Sequence, residues 1–162
     1  MNLYLIRHAD AVPVGEQGIT DDGERPLTTT GVVQARGLAT GLQGHGVRLD
    51  LVLSSPLVRA RQTAEEMLRN WKQPSPELRP CEELEPGFKR RKLARVLRQC
   101  GAEAVALVGH QPDLGELAAW LIGSRRARID LAKAGVAAIN CDDDPGKGAG
   151  VLEWLVTADW LA

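Results

Sequence analysis

The sequence predicts an α/β fold whose strands run parallel and carry polar side chains at their C-terminal ends. Three observations point there. Short apolar runs, too brief for helices and rich in strand formers, occur at residues 3–6, 49–53 and 104–109. Segments with apolar residues at helical spacing lie between and after them. Each run also stops at residues suited to chemistry: Arg7-His8, Ser54-Ser55-Pro56 and, after Gly109, His110. Open α/β sheets place their ligands at that edge. At 162 residues the chain is the length of one domain, taken as residues 1–162.

The first run, Leu3, Tyr4, Leu5 and Ile6, reads as a buried strand delivering Arg7 and His8 to the sheet edge. Residues 11–26 form a polar, glycine-bearing loop, a length that in compact domains commonly carries function. Thr28 is placed to cap a helix with Val32, Ala35, Leu38, Ala39 and Leu42 on one face, ending at Gly44, His45 and Gly46. His45 falls in that turn and reads as a surface side chain. After the second run, Ser55 reads as a helix cap and Pro56 as the first helical residue, with Leu57, Ala60, Ala64 and Leu68 turned inward. Arg59 lies one turn from this helix's start, where unpaired amides already make the field positive, so a guanidinium there makes sense beside an anion.

Residues 73–76 (Gln-Pro-Ser-Pro) break the chain. Residues 77–80 read as a short edge strand and residues 82–87 as an acidic turn. The next helix points Leu93, Val96, Leu97 and Cys100 inward, which leaves Lys89, Arg90, Arg91, Lys92, Arg95 and Arg98 mostly outward. In a neutral chain this reads as a solvated face, with attraction of an acidic or phosphorylated partner as a further use. The third run precedes a helix bracketed by Asp113 and Gly123, then a polar Arg125-Arg126-Ala127-Arg128 connection. Residues 136–139 and 151–156 read as closing strands joined through an acidic turn at residues 142–146. That turn lacks the ligand spacing of a calcium loop. Trp71, Trp120, Trp154 and Trp160 read as core or edge packing.

Composition narrows the classes. Twenty basic residues against 21 acidic ones leave a net charge of −1, with no global pull toward nucleic acid or membranes. Cys81, Cys100 and Cys141 are odd in number and lack zinc spacing, as expected of a reducing compartment. No apolar stretch approaches the roughly 18 residues of a membrane span. A soluble, cytoplasmic, monomeric protein is expected.

If the strand ends converge, two histidines and two arginines meet. Guanidiniums can hold phosphoryl oxygens, one neutral imidazole can attack phosphorus, and a second can stabilise charge in transfer. Neighbouring arginines favour the neutral form of His8 that a nucleophile requires.

The pattern resembles the histidine phosphatase superfamily. "LIRHADA" (residues 5–11) looks like its nucleophile motif with Ala9 in place of a glycine, a departure shared by the small SixA-like branch of protein phosphohistidine phosphatases. "DGERPLTTTG" (residues 22–31), "SSPLVRARQTAE" (residues 54–65) and "LVGHQPDL" (residues 107–114) resemble that branch's loop, second-arginine and second-histidine motifs, in the family's order. The resemblance implies a phosphoglycerate mutase-like, three-layer α/β/α fold, mostly parallel with an antiparallel edge strand. It makes His8 the phosphorylated nucleophile, Arg7, Arg59 and His110 the phosphate pocket, and Arg25 a substrate contact. No metal or cofactor is implied.

Larger relatives carry a long insertion and an acid that protonates the leaving oxygen. Between Arg59 and His110 no room remains for a lid, and Asp10, Glu83 and Glu85 are the open candidates for the acid. A phosphorylated imidazole leaves readily once its ring is protonated, whereas an alkoxide needs a proton donor. The expected substrate is therefore a phosphohistidine on a partner protein. A small phosphate ester is the alternative, and a phosphate-binding module without catalysis is the reading from another class.

Overall fold

A computed structural model describes residues 1–72, 74–142 and 144–161. Its strands are β1 (Asn2–Arg7), β2 (Leu51–Ser54), β3 (Glu77–Pro80), β4 (Ala104–Gly109), β5 (Val136–Cys141) and β6 (Gly150–Val156). Its helices are α1 (Thr29–Gly44), α2 (Val58–Arg69), α3 (Arg90–Gln99) and α4 (Asp113–Leu121). The strands form one sheet in the order β3-β2-β4-β1-β5-β6. β3, β2, β4 and β1 run parallel, and β5 is antiparallel to both of its neighbours. The antiparallel strand thus lies one place in from the edge. β6, the edge strand, returns to the common direction, because the closing pair is a hairpin and reverses twice.

Strand periodicity divides the core in two. Leu3, Leu5, Leu51, Leu53, Val105 and Leu107 point to the face covered by α3 and α4, packing with Leu93, Leu97, Leu114 and Leu117. Ile6, Val52, Ala106 and Val108 point to the other face, against Ala35, Leu38 and Leu42 of α1 and Ala60, Ala64 and Met67 of α2. The result is a three-layer α/β/α arrangement in which the central strands are buried on both sides, as parallel sheets require. Truncating a fully buried leucine here, such as Leu5, removes about 2–5 kcal/mol. Trp71 is buried and Trp154 tilts against Tyr4, but Trp160 is 78% exposed and packs in neither core.

Two starts of helices position the site. Thr28 caps α1 as expected, its hydroxyl oxygen accepting from the Gly31 N–H at 3.0 Å. The same hydroxyl donates to Asp10 Oδ2 at 2.6 Å, and the Thr28 N–H donates to the Asp10 carbonyl at 3.0 Å. Helix α2 departs from expectation. It begins at Val58 rather than Pro56, and no side chain caps it. Ser55 is fully buried and its hydroxyl turns toward His110, a tertiary contact that local Ser-Pro grammar does not show. The acidic turn includes Asp143, which lies outside the described residues. No described helix is long and apolar enough to cross a membrane.

Gly31 is where α1 touches the loop behind the first strand: a Cβ there would lie 2.0 Å from the Asp10 carbonyl oxygen. Helix propensity alone would make Gly31→Ala stabilising by about 1 kcal/mol. Overpacking against backbone reverses the sign, and a net loss of about 1–3 kcal/mol is expected. A urea titration checks this; a midpoint at or above that of the parent protein contradicts the close approach.

Candidate active site

Parallel register brings three strand ends together. Arg7 pairs with Gly109 and Ser54 with Val108, so the residues immediately after β1, β2 and β4 emerge side by side. The ladder continues one step further: His8 N–H donates to the Gly109 carbonyl and Ser55 N–H to the Val108 carbonyl, both at 2.9 Å. The rings of His8 and His110 lie 5.3 Å apart between centroids, tilted by 54°. Both side chains are buried.

The His8 ring is oriented through its Nδ1, 2.8 Å from the Ala9 carbonyl oxygen. A carbonyl only accepts, so Nδ1 carries the proton and Nε2 presents its lone pair. Arg59 Nε–H donates to that lone pair at 3.2 Å. Ala9, which takes the next place, is fully buried, and its N–H donates to Thr63 Oγ1 at 3.0 Å; Thr63 in turn donates to the Arg59 carbonyl at 2.7 Å. One turn of α2 therefore holds both the backbone behind the histidine and the arginine in front of it.

Arg59 is 4% exposed, unusual for a guanidinium, and its charge is answered by a residue the sequence reading passed over. Asp22 accepts from Arg59 twice, through its carbonyl at 2.6 Å and through Oδ2 at 3.0 Å. Its Oδ1 accepts from Arg25 Nη1, also at 3.0 Å. Arg25 is fixed from behind by the Val12 carbonyl at 2.7 Å. The loop of residues 11–26 thus returns to the site, bringing one carboxylate and one more guanidinium.

Arg7 donates through Nη1 to the Leu131 carbonyl at 2.7 Å. Among the described residues its Nε is buried without a hydrogen-bond partner, and so is His110 Nδ1. An unsatisfied buried polar group costs about 1–3 kcal/mol, so two beside one imidazole call for an occupant with acceptor atoms. The other ring nitrogen, His110 Nε2, lies 2.9 Å from Ser55 Oγ. Leu57 N–H donates into that oxygen at 3.4 Å. In the tautomer in which the Ser55 hydroxyl donates to Nε2, neutral His110 carries its proton on Nδ1.

Burial chiefly, then the neighbouring arginines, depresses both imidazoles. His8 is lowered to about 4, although its bond to Ala9 opposes the shift. His110 is lowered to about 3. Both are neutral at neutral pH, the state a nitrogen nucleophile needs. The strongest charges on them come from arginines and Asp22, not from Glu83 or Glu85. Glu83 accepts from the Cys81 thiol, and Glu85 is exposed. The third candidate acid, Asp10, accepts from Lys133 Nζ at 2.5 Å and from Thr28, bonds that hold its carboxyl below the usual range. Asp10 is a tie between the first loop and α1, ionised at neutral pH. Asp22 is lowered as well, first by its bond to Arg25.

The family model described as the histidine phosphatase superfamily, branch 1, matches residues 3–87. The phosphohistidine phosphatase SixA of Escherichia coli is 31% identical over 162 residues, covering 97% of this chain and 94% of its own. The chain belongs to the histidine phosphatase superfamily. A solved structure of the protein histidine phosphatase SixA complexed with tungstate superposes with a TM-score of 0.85 at 28% identity, covering all of both chains. An uncharacterised protein of Picosynechococcus is 39% identical over 140 residues, 84% of this chain and 82% of its own. This histidine phosphatase falls in the SixA-like branch, and its mixed sheet between two helix layers is the fold of that group.

In this histidine phosphatase the unfolded chain takes up protons near the ordinary imidazole value of 6.5, while folded His8 refuses them until about pH 4. Stability is therefore lost as pH falls through that window. Carbon-detected NMR titration of the His8 ring is expected to give a midpoint near 4 with a bare Nε2 above it; a midpoint above 6 contradicts the buried, arginine-flanked placement.

Proposed function

We propose that this protein removes phosphoryl groups from phosphohistidine on a partner protein, through a covalent phosphoryl group carried on His8 Nε2. The observation that carries the reading is a neutral, oriented imidazole next to two buried hydrogen-bond groups that have no partner among the described residues, Arg7 Nε and His110 Nδ1. A phosphoryl group offers acceptor oxygens to both. Arg59 Nε, which rests on the His8 lone pair, transfers its hydrogen bond to a phosphoryl oxygen as the nucleophile engages. His110 Nδ1–H donates to a second oxygen as charge builds in transfer, and Arg25, tied to Arg59 through Asp22, serves as a further substrate contact. The bond from phosphorus to the substrate nitrogen breaks as the bond to Nε2 forms, and water then releases phosphate from His8.

Substrate class follows from proton supply. Asp10 and Asp22 are both held ionised, so neither is a ready proton donor at neutral pH. A phosphorylated imidazole departs as a good leaving group once its own ring is protonated, while a sugar or nucleotide alkoxide requires an acid. The relationship to SixA supports the same choice, and the tungstate bound to that relative is a tetrahedral oxyanion.

A phosphate-release panel spanning a phosphohistidine protein, sugar phosphates and nucleotides tests the assignment. Turnover of the phosphohistidine protein is expected, with at least ~100-fold lower kcat/KM on the esters. Good ester turnover with an untouched phosphohistidine protein would replace it with a small-molecule phosphomonoesterase. His8→Ala is expected to lower turnover by at least ~10³-fold with the fold retained. Rapid quench should trap acid-labile, base-stable phosphate on His8; its absence from an active enzyme would rule out the covalent route.

A further inference from the structure

Resting on the phosphohistidine reading, we infer that a basic groove beside the catalytic pocket docks an acidic, amphipathic segment of the phosphorylated partner. The groove has a volume of about 1320 Å³ and reaches Arg7 at the site. That exceeds what a small metabolite fills, since pockets for such ligands run to about 1,000 Å³. Arg91, Arg125, Arg126, Arg128 and Lys147 line it, and none of their side chains has an ion pair or hydrogen bond among the described residues. Arg90 joins them but is already paired with Glu116 at 2.7 Å. Asp130 and the already paired Glu116 line the groove too, so five cations without an ion pair face one further carboxylate, a local excess in a chain of net charge −1. Pro112, Trp120 and Ile129 add apolar lining, so the surface suits a segment with carboxylates on one side and apolar residues on the other.

The groove is joined to the chemistry by hydrogen bonds. Gln111, next to His110, donates to the Ile129 carbonyl at 2.8 Å, and Arg7 donates to the Leu131 carbonyl at 2.7 Å. Close packing on α4 is possible because Gly115 has no side chain: a Cβ there would lie 1.9 Å from the Ile129 carbonyl oxygen. Ser124 Oγ accepts from the N–H groups of Arg126 and Ala127, which shapes the turn carrying the arginines. A segment bound along these arginines therefore ends at Arg7, beside the nucleophile. The basic run on α3 contributes Arg91 to the same groove, a use for that outward face beyond solvation.

Two synthetic peptides test the inference, each with one phosphohistidine, one flanked by four glutamates and the other by four glutamines. At 50 mM salt the acidic peptide is expected to have at least tenfold higher kcat/KM, an advantage that falls below twofold at 0.5 M salt. The exposed triple variant R125E/R126E/R128E should lose the advantage and keep phosphoramidate hydrolysis within twofold. Equal rates on the two peptides, or an equal loss on both peptides and phosphoramidate, would overturn docking and leave the phosphohistidine reading standing. Fluorescence anisotropy with the labelled, unphosphorylated acidic peptide gives a readout independent of turnover. Binding that weakens tenfold in the triple variant supports the groove even if no phosphohistidine is hydrolysed, an outcome that would overturn the function instead. No binding, or tenfold tighter binding of a single-stranded oligonucleotide at the same arginines, would end the proposal.

Discussion

The parallel ladder joining β2, β4 and β1 is the constraint on which the rest depends. Because the side-chain period of a strand is two residues, a slip of one position would exchange the faces of Leu3, Leu5 and Ile6 and send His8 away from His110. Leucines on one face of the central strands and Ile6, Val52 and Val108 on the other make that slip costly, for it would misalign two cores at once. The placement of the imidazoles is thus secured by hydrophobic burial some distance from them. Polar contacts within the pocket refine an arrangement that packing has already fixed.

Electrostatics at the site balance two opposing demands. Several guanidiniums close together attract an oxyanion, but their mutual repulsion and loss of water oppose folding. Burial lowers the Arg59 guanidinium, and the Asp22 carboxylate works against that shift. The Asp22–Arg59 pair therefore keeps a cation tolerable at 4% exposure. His8 and His110 meet the same surroundings in the opposite way, by remaining uncharged.

What was legible in the sequence was what local grammar writes. Arg7, His8, Arg59 and His110 each follow an apolar run or a helix start, and Thr28 caps α1 as its position indicates. Asp22 was not legible as a site residue. It sits among Asp21 and Glu24 in a polar loop, and its partner Arg59 is 37 positions away. The signal that could have found it was Arg59 itself, a cation near a helix start that needs a counter-ion. Ser55 misled for a related reason: a serine before proline is a good local cap, yet a hydrogen bond to a histidine 55 positions away takes its hydroxyl. The place of β5 within the sheet depends on pairing between distant segments, which strand patterning alone does not encode. Trp160, large and apolar yet outside both cores, obeys no burial rule that its sequence neighbours reveal.

The carboxylate bridging Arg25 and Arg59 also changes what this pocket offers an anion. Its cations are not bare; they already hold an internal anion. An incoming oxyanion exchanges with or shares that resident, so its net gain is the difference between two similar partners. An anion leaving these two guanidiniums would find Asp22 still in place, so their charge stays balanced from within the chain.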